Sequence, residues 1–192
     1  MTPDTKRQDL LEKYLTDMQA ITREVAVAMD SQAKSKEVQN FIDVRSLLKL
    51  IYLTLSNQTD RLKLVGSHLN MNGSSTAKDT LAAVAGTIAG LYDKIRTQPV
   101  SKMLRDDYVA LSLCCIAHEM LLTTATAAQE KQLSSVCRES LMELTPLIQN
   151  LAELIPGVVV EELENDGISV EPHTVVQTTK AWRQAWHSHL AA

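Results

Sequence analysis

The side chains of this chain that could do chemistry are few and scattered. His118 and Glu119 are adjacent in "CCIAHEM" and have the elements of an acid–base pair. Sequence neighbours on a helix point apart, so a histidine at the solvated boundary of the core is the expected role. Glu139 and Glu143 are one turn apart and can share a helix face. They are expected as a solvated stripe opposite Leu141, Leu144 and Ile148. The alternative joins them to His118, Glu119, Glu24 and Asp60 as ligands of a displaced metal site.

The chemistry of such a set would be that of a di-iron or di-manganese bundle. There two helices each supply a Glu, and two others each supply Glu-x-x-His. The i, i+3 spacing points both side chains into one layer. None of the five histidines fits: the residues three before them are Val65, Cys115, Val170, Gln184 and Trp186. There is also no GxxxxGK[ST], GxGxxG or GxSxG, so neither a phosphate cradle nor a nucleophile elbow is indicated. No cofactor is expected.

Composition narrows the classes. The 192 residues fit one domain with a small appendage, and 45% are hydrophobic, enough for a sizeable core. There are 19 Lys+Arg against 23 Asp+Glu, a net charge of -4. The basic residues form no stripe, so no nucleic-acid partner is expected. The polar start "MTPDTKRQDL" lacks the apolar core of a signal peptide, and no apolar run reaches the roughly 18 residues of a membrane span. Cys114, Cys115 and Cys137 have no metal-finger spacing and lie in apolar surroundings. Buried reduced thiols in a cytoplasmic protein are the expectation.

The elements that must position these residues are helices. Leu11, Tyr14, Leu15, Met18, Ile21 and Val25 recur at spacings of three and four and predict a first helix of about seven turns. A second is expected from about 36 to 69. A third, about 77 to 96, carries Gly86 and Gly90, which predict close packing against another helix or subunit. A fourth is expected at about 105 to 130. A fifth starts near Ser134, contains Pro146 and stops at Pro156-Gly157. A short tail helix carries Trp182 and Trp186 on one stripe. These two rings are expected to cover the chain's own core, with a partner interface as the alternative. "GVVVEEL" and "GISVEP" are the only plausible strands. The reading is an all-α antiparallel four-helix bundle over 1–160, with an additional helix, then a linker and tail helix over 161–192.

Within this frame "LSNQTDRL", residues 55 to 62, is conspicuous. Six consecutive polar residues, Ser56 to Arg61, interrupt the middle of the second helix without a Gly or Pro. They either face water or form a polar layer inside the bundle.

The segments "LLEKYLTDMQAITREVAVAM", "TDRLKLVGSHLNMNG", "YVALSLCCIAHEMLLTTATAAQEKQL" and "ESLMELTPLIQNLAELI" resemble, in order and spacing, ferritin-like proteins of the YciE/YciF type. The likeness covers about residues 8 to 160. It implies a four-helix bundle with an inward carboxylate–histidine layer, and a stress-associated role. The family's ligand positions would fall at Thr22, at Ser56 and Thr59, at Ala117 and near Leu144. None is a strong metal ligand, so the resemblance implies a degenerate, metal-free site. "LSNQTDRL" would then be the relic of a metal layer, with Thr59 inward, bonded to a carbonyl one turn earlier, and Asp60 outward. A non-catalytic structural or protein-interaction role follows, with a protein partner or a homodimer. The alternative is a di-metal storage protein or oxidase using the displaced carboxylate and histidine set.

Overall fold

The computed structural model describes residues 3–71, 86 and 99–187. Among them the chain forms five helices and no strand. These are α1 (Pro3–Ala33), α2 (Ile42–His68), α3 (Val100–Ala127), α4 (Lys131–Asn165) and α5 (Thr174–His187). The all-α expectation holds.

Each of the first four helices buries one seam at alternating spacings of four and three, the pattern that keeps a stripe facing its neighbours. On α1 the seam includes Leu15, Met18, Thr22 and Val25; on α2, Ile51, Leu55, Gln58 and Leu62. On α3 it includes Leu111, Cys114, His118 and Leu121; on α4, Cys137, Ser140, Leu144 and Leu147. Removing these side chains from water, at roughly 25 cal/mol per Å² of apolar surface, is what packs the helices together. α1 packs against α2 and α3, α4 packs against α2 and α3, and α5 lies on α4.

Three contacts set the levels of the helices. Gly66, near the end of α2, lies so close to α1 that an added Cβ would meet Leu15 Cδ2 at 3.0 Å. Gln32, near the end of α1, bonds Asp107, near the start of α3. Ser101, at the start of α3, bonds Glu162, near the end of α4. This last contact also caps a helix. Pro99 offers α3 no side-chain cap, and the Glu162 carboxylate accepts from the Ser101 N–H at 3.0 Å and its hydroxyl at 2.5 Å.

Several boundaries differ from the sequence reading. α4 does not stop at Pro156-Gly157; it runs through Pro146 and Pro156 to Asn165. Residues 157 to 163, read as a possible strand, are therefore helical, and the boundary expected at 160 falls inside α4. A proline in a helix removes one N–H and costs about 3 kcal/mol. At Pro146 the carbonyl left without a donor belongs to Met142, which is 71% exposed and open to water. Around Pro156, burial of Leu151 and Val158 and the Glu162 tie hold the helix on course. "GISVEP" forms no strand either. α2 starts at Ile42, six residues later than expected, after a link whose turn bonds include Lys34 N to Ser31 O and Phe41 N to Val38 O.

α3 is long and apolar enough, by length and composition, to cross a membrane. Its seam supplies part of that composition, with Leu104, Leu111, Cys114 and Leu121 fully buried, while Val109, Ile116 and Met120 on the same helix are exposed.

Candidate functional site

Four polar residues stand on the four seams, one per helix: Thr22, Gln58, His118 and Ser140. All are completely buried. They occupy one region of the core. Gln58 Nε2 donates to the Ser140 carbonyl at 3.2 Å and to Glu143 Oε2 at 2.9 Å. Arg61 and Glu143 both act electrostatically on His118. Thr22 follows from the Gln32–Asp107 bond, where the end of α1 meets the start of α3. Ten residues back along α1 and ten forward along α3 bring Thr22 level with Ala117.

Two threonine hydroxyls, on the α1 seam and beside Gln58, turn back on their own helices. Thr22 Oγ1 donates to Met18 O at 2.8 Å, and Thr59 Oγ1 donates to Leu55 O at 2.9 Å. This is the usual refuge of a buried hydroxyl. Gln58 and Thr59 are buried while Asn57 and Asp60 are exposed, so "LSNQTDRL" is a helix crossing a polar layer rather than a wholly solvated stretch.

His118 corrects the sequence reading. It is not at a solvated boundary but wholly inside, with Nδ1 2.9 Å from Cys114 O. A carbonyl only accepts, so Nδ1 carries the proton and Nε2 presents a lone pair to the core. Burial pulls its pKa down to about 4. The bond to Cys114 O opposes this, Arg61 adds to it, and Glu143 opposes it. His118 is therefore neutral at pH 7.

Over the α2–α4 seam an ion pair covers the layer. Arg61 Nη1 donates to Glu143 Oε1 at 2.9 Å, and Nη2 donates to Glu143 Oε2. The Arg61 hydrogen bond, helped by Gln58, holds the Glu143 carboxyl below the usual carboxylate range, and the Arg61 guanidinium is raised in turn. Glu143 is half-buried and bonded, not merely a member of a solvated stripe. Glu139 is exposed and 4.0 Å from Arg61.

The other candidates disperse. Glu119 is exposed, Glu24 is bound by Arg23, and Asp60 points outward to Lys63. Ser56 is half-buried, while Ala117 and Leu144 are buried and carry no donor atom. Among the described residues no three of His, Cys, Asp and Glu are placed to hold a metal ion. The donor set therefore does not fit a di-iron centre, which needs several carboxylates converging with histidines on one layer. The three cysteines are free thiols. Burial pushes Cys115 up to about 11 and Cys137 to about 12, and raises Cys114 as well, so none is a reactive thiolate.

Gly86 is helical and exposed, and a Cβ there would meet no described atom within 4 Å. Gly90, with most of the third helix of the sequence reading, lies outside the described residues. On α5, Trp182 meets Tyr108 edge-on at 6.3 Å and Trp186 at 5.5 Å. Both residues remain exposed, Trp182 to 41% and Trp186 to 57%. Arg183 ties the helix to Glu153 of α4 through two bonds of 2.8 Å.

Gln58 and Ser140 escaped the sequence reading, as did a second buried pair, Gln32 and Asp107. The signal was present in the spacing. Ser140 lies three after Cys137 and four before Leu144, and Gln58 lies three after Leu55 and four before Leu62.

No family model, curated protein or solved structure matches this chain.

Proposed function

We propose that the chain is a ferritin-like antiparallel four-helix bundle, with an extra helix, whose metal layer has been replaced by a neutral polar core. Its role is structural or protein-interacting rather than catalytic. The observation that carries this reading is the composition of the mid-core layer. Thr, Gln, His and Ser stand on the four seams, and the nearest carboxylate, Glu143, is already neutralised by Arg61.

The bundle assignment is supported by the packing cycle of α1, α2, α4 and α3, in which the end of each helix meets the start of a neighbour. In that arrangement α2 and α3 run the same way on a diagonal, as two helices do in bundles with one long crossover. The interaction role is supported by the large apolar surface left uncovered. Ile116 and Met120 on α3, Leu50, Leu53 and Leu64 on α2, and both tryptophans are exposed. Three free thiols suit a reducing, cytoplasmic setting.

Elemental analysis of untagged, purified protein tests the reading. Iron, manganese and zinc are each expected far below one per chain, with no ferroxidase activity. Two metals per chain would overturn it.

A further inference from the structure

Three atoms of the polar layer are fully buried and have no hydrogen-bond partner among the described residues: His118 Nε2, Gln58 Oε1 and Ser140 Oγ. Two of the three can only accept, and the Ser140 hydroxyl carries the single proton of the set. The bond from His118 Nδ1 to Cys114 O leaves Nε2 as an acceptor. The Gln58 amide nitrogen is engaged with Ser140 O and Glu143, which leaves Oε1 as an acceptor too. Two acceptors cannot satisfy each other, and each buried polar atom left unmet is costly.

We propose that the layer is a hydrated binding site, in which an internal water donates to His118 Nε2 and Gln58 Oε1 beside the Ser140 hydroxyl. Water is the small neutral donor that such a set takes, and buried waters usually make about three bonds of this kind. A cation would also answer two acceptors, but the charges oppose it. Arg61 lies close enough to act on His118, and it neutralises Glu143, the carboxylate bonded to Gln58. The route to bulk solvent is the α2–α4 seam past Arg61 and Glu143, both half-exposed. The proposal stands on the layer alone and does not depend on the ferritin-like reading.

Oxygen-17 relaxation dispersion of the full chain, with chelator present, tests it. The parent is expected to show a long-lived internal water that is lost in His118→Leu and weakened in Ser140→Ala. Gln58→Met, close in volume, serves should His118→Leu fail to fold, and is expected to lose the same contribution. An unchanged dispersion amplitude in a folded His118→Leu or Gln58→Met chain would overturn the proposal. So would an amplitude that changes on adding Zn(II), which would assign the site to a cation.

Discussion

Two polar breaks interrupt the apolar seams, and they are built differently. Near the end of α1, Gln32 and Asp107 meet directly, with the Gln32 amide donating to the buried carboxylate at 2.9 Å. At mid-core, Thr22, Gln58, His118 and Ser140 come from four helices, and no two of their side chains bond each other. Thr22 satisfies itself on its own helix, Gln58 reaches a backbone carbonyl and a rim carboxylate, and His118 bonds its own turn. The first break is a specific joint between α1 and α3. The second is a layer whose side chains make no direct bond to one another. A joint fails when one partner is removed; a layer yields gradually.

The largest expected effects test this contrast. Gln32→Leu takes a donor from a fully buried carboxylate and is expected to cost about 3 kcal/mol in urea unfolding. A change under 1 kcal/mol would make the joint no different from the layer. Next is acid. Between pH 6.5 and about 4 an unfolded chain protonates His118 while the folded chain keeps it neutral. Stability is therefore retained above pH 6.5 and lost as pH falls towards 4, by up to about 3 kcal/mol. In His118→Gln this slope should flatten; an unaltered slope would locate the acid sensitivity elsewhere.

Smaller effects sharpen the picture of the rim and the layer. Arg61→Met removes a half-exposed partner of Glu143, and about 1 kcal/mol is expected because solvent screens the pair. The mildest change is Thr22→Val. It keeps the shape and deletes a hydroxyl bonded only to Met18 O, so unfolding should shift by no more than about 0.5 kcal/mol in either direction. A loss of several kcal/mol would show the layer to be as interdependent as the joint.

Much of this was legible in the sequence. The helical seams follow from apolar spacing, and Thr22 stood visibly on an apolar face between Met18 and Val25. "LSNQTDRL" raised the right alternatives, and the spacing of Gln58 from Leu55 and Leu62, which Asn57 does not share, carries the signal that it faces inward. His118 was misjudged because it was weighed against its neighbour Glu119, from which a helix points it away. Its spacing from Cys114 and Leu121 carried the better signal, since a seam is read at i−4 and i+3 rather than at i+1. The run of α4 through Pro156-Gly157 was not legible, because local propensity there favours a stop and burial of Val158 with the Glu162–Ser101 tie overrides it. The tryptophans lay between the alternatives: Trp182 touches Tyr108, yet both residues remain exposed.

The central claim is that the mid-core layer of Thr22, Gln58, His118 and Ser140 is a neutral polar core. The most direct measurement is the NMR titration of the His118 ring resonance, assigned with His118→Gln and repeated with Mn(II). The account expects no titration until close to pH 4 and no selective broadening by Mn(II) at pH 7. A midpoint at the ordinary value near 6.5 would put His118 in solvent, and strong broadening of that one resonance would mean that the layer binds metal; either result contradicts it.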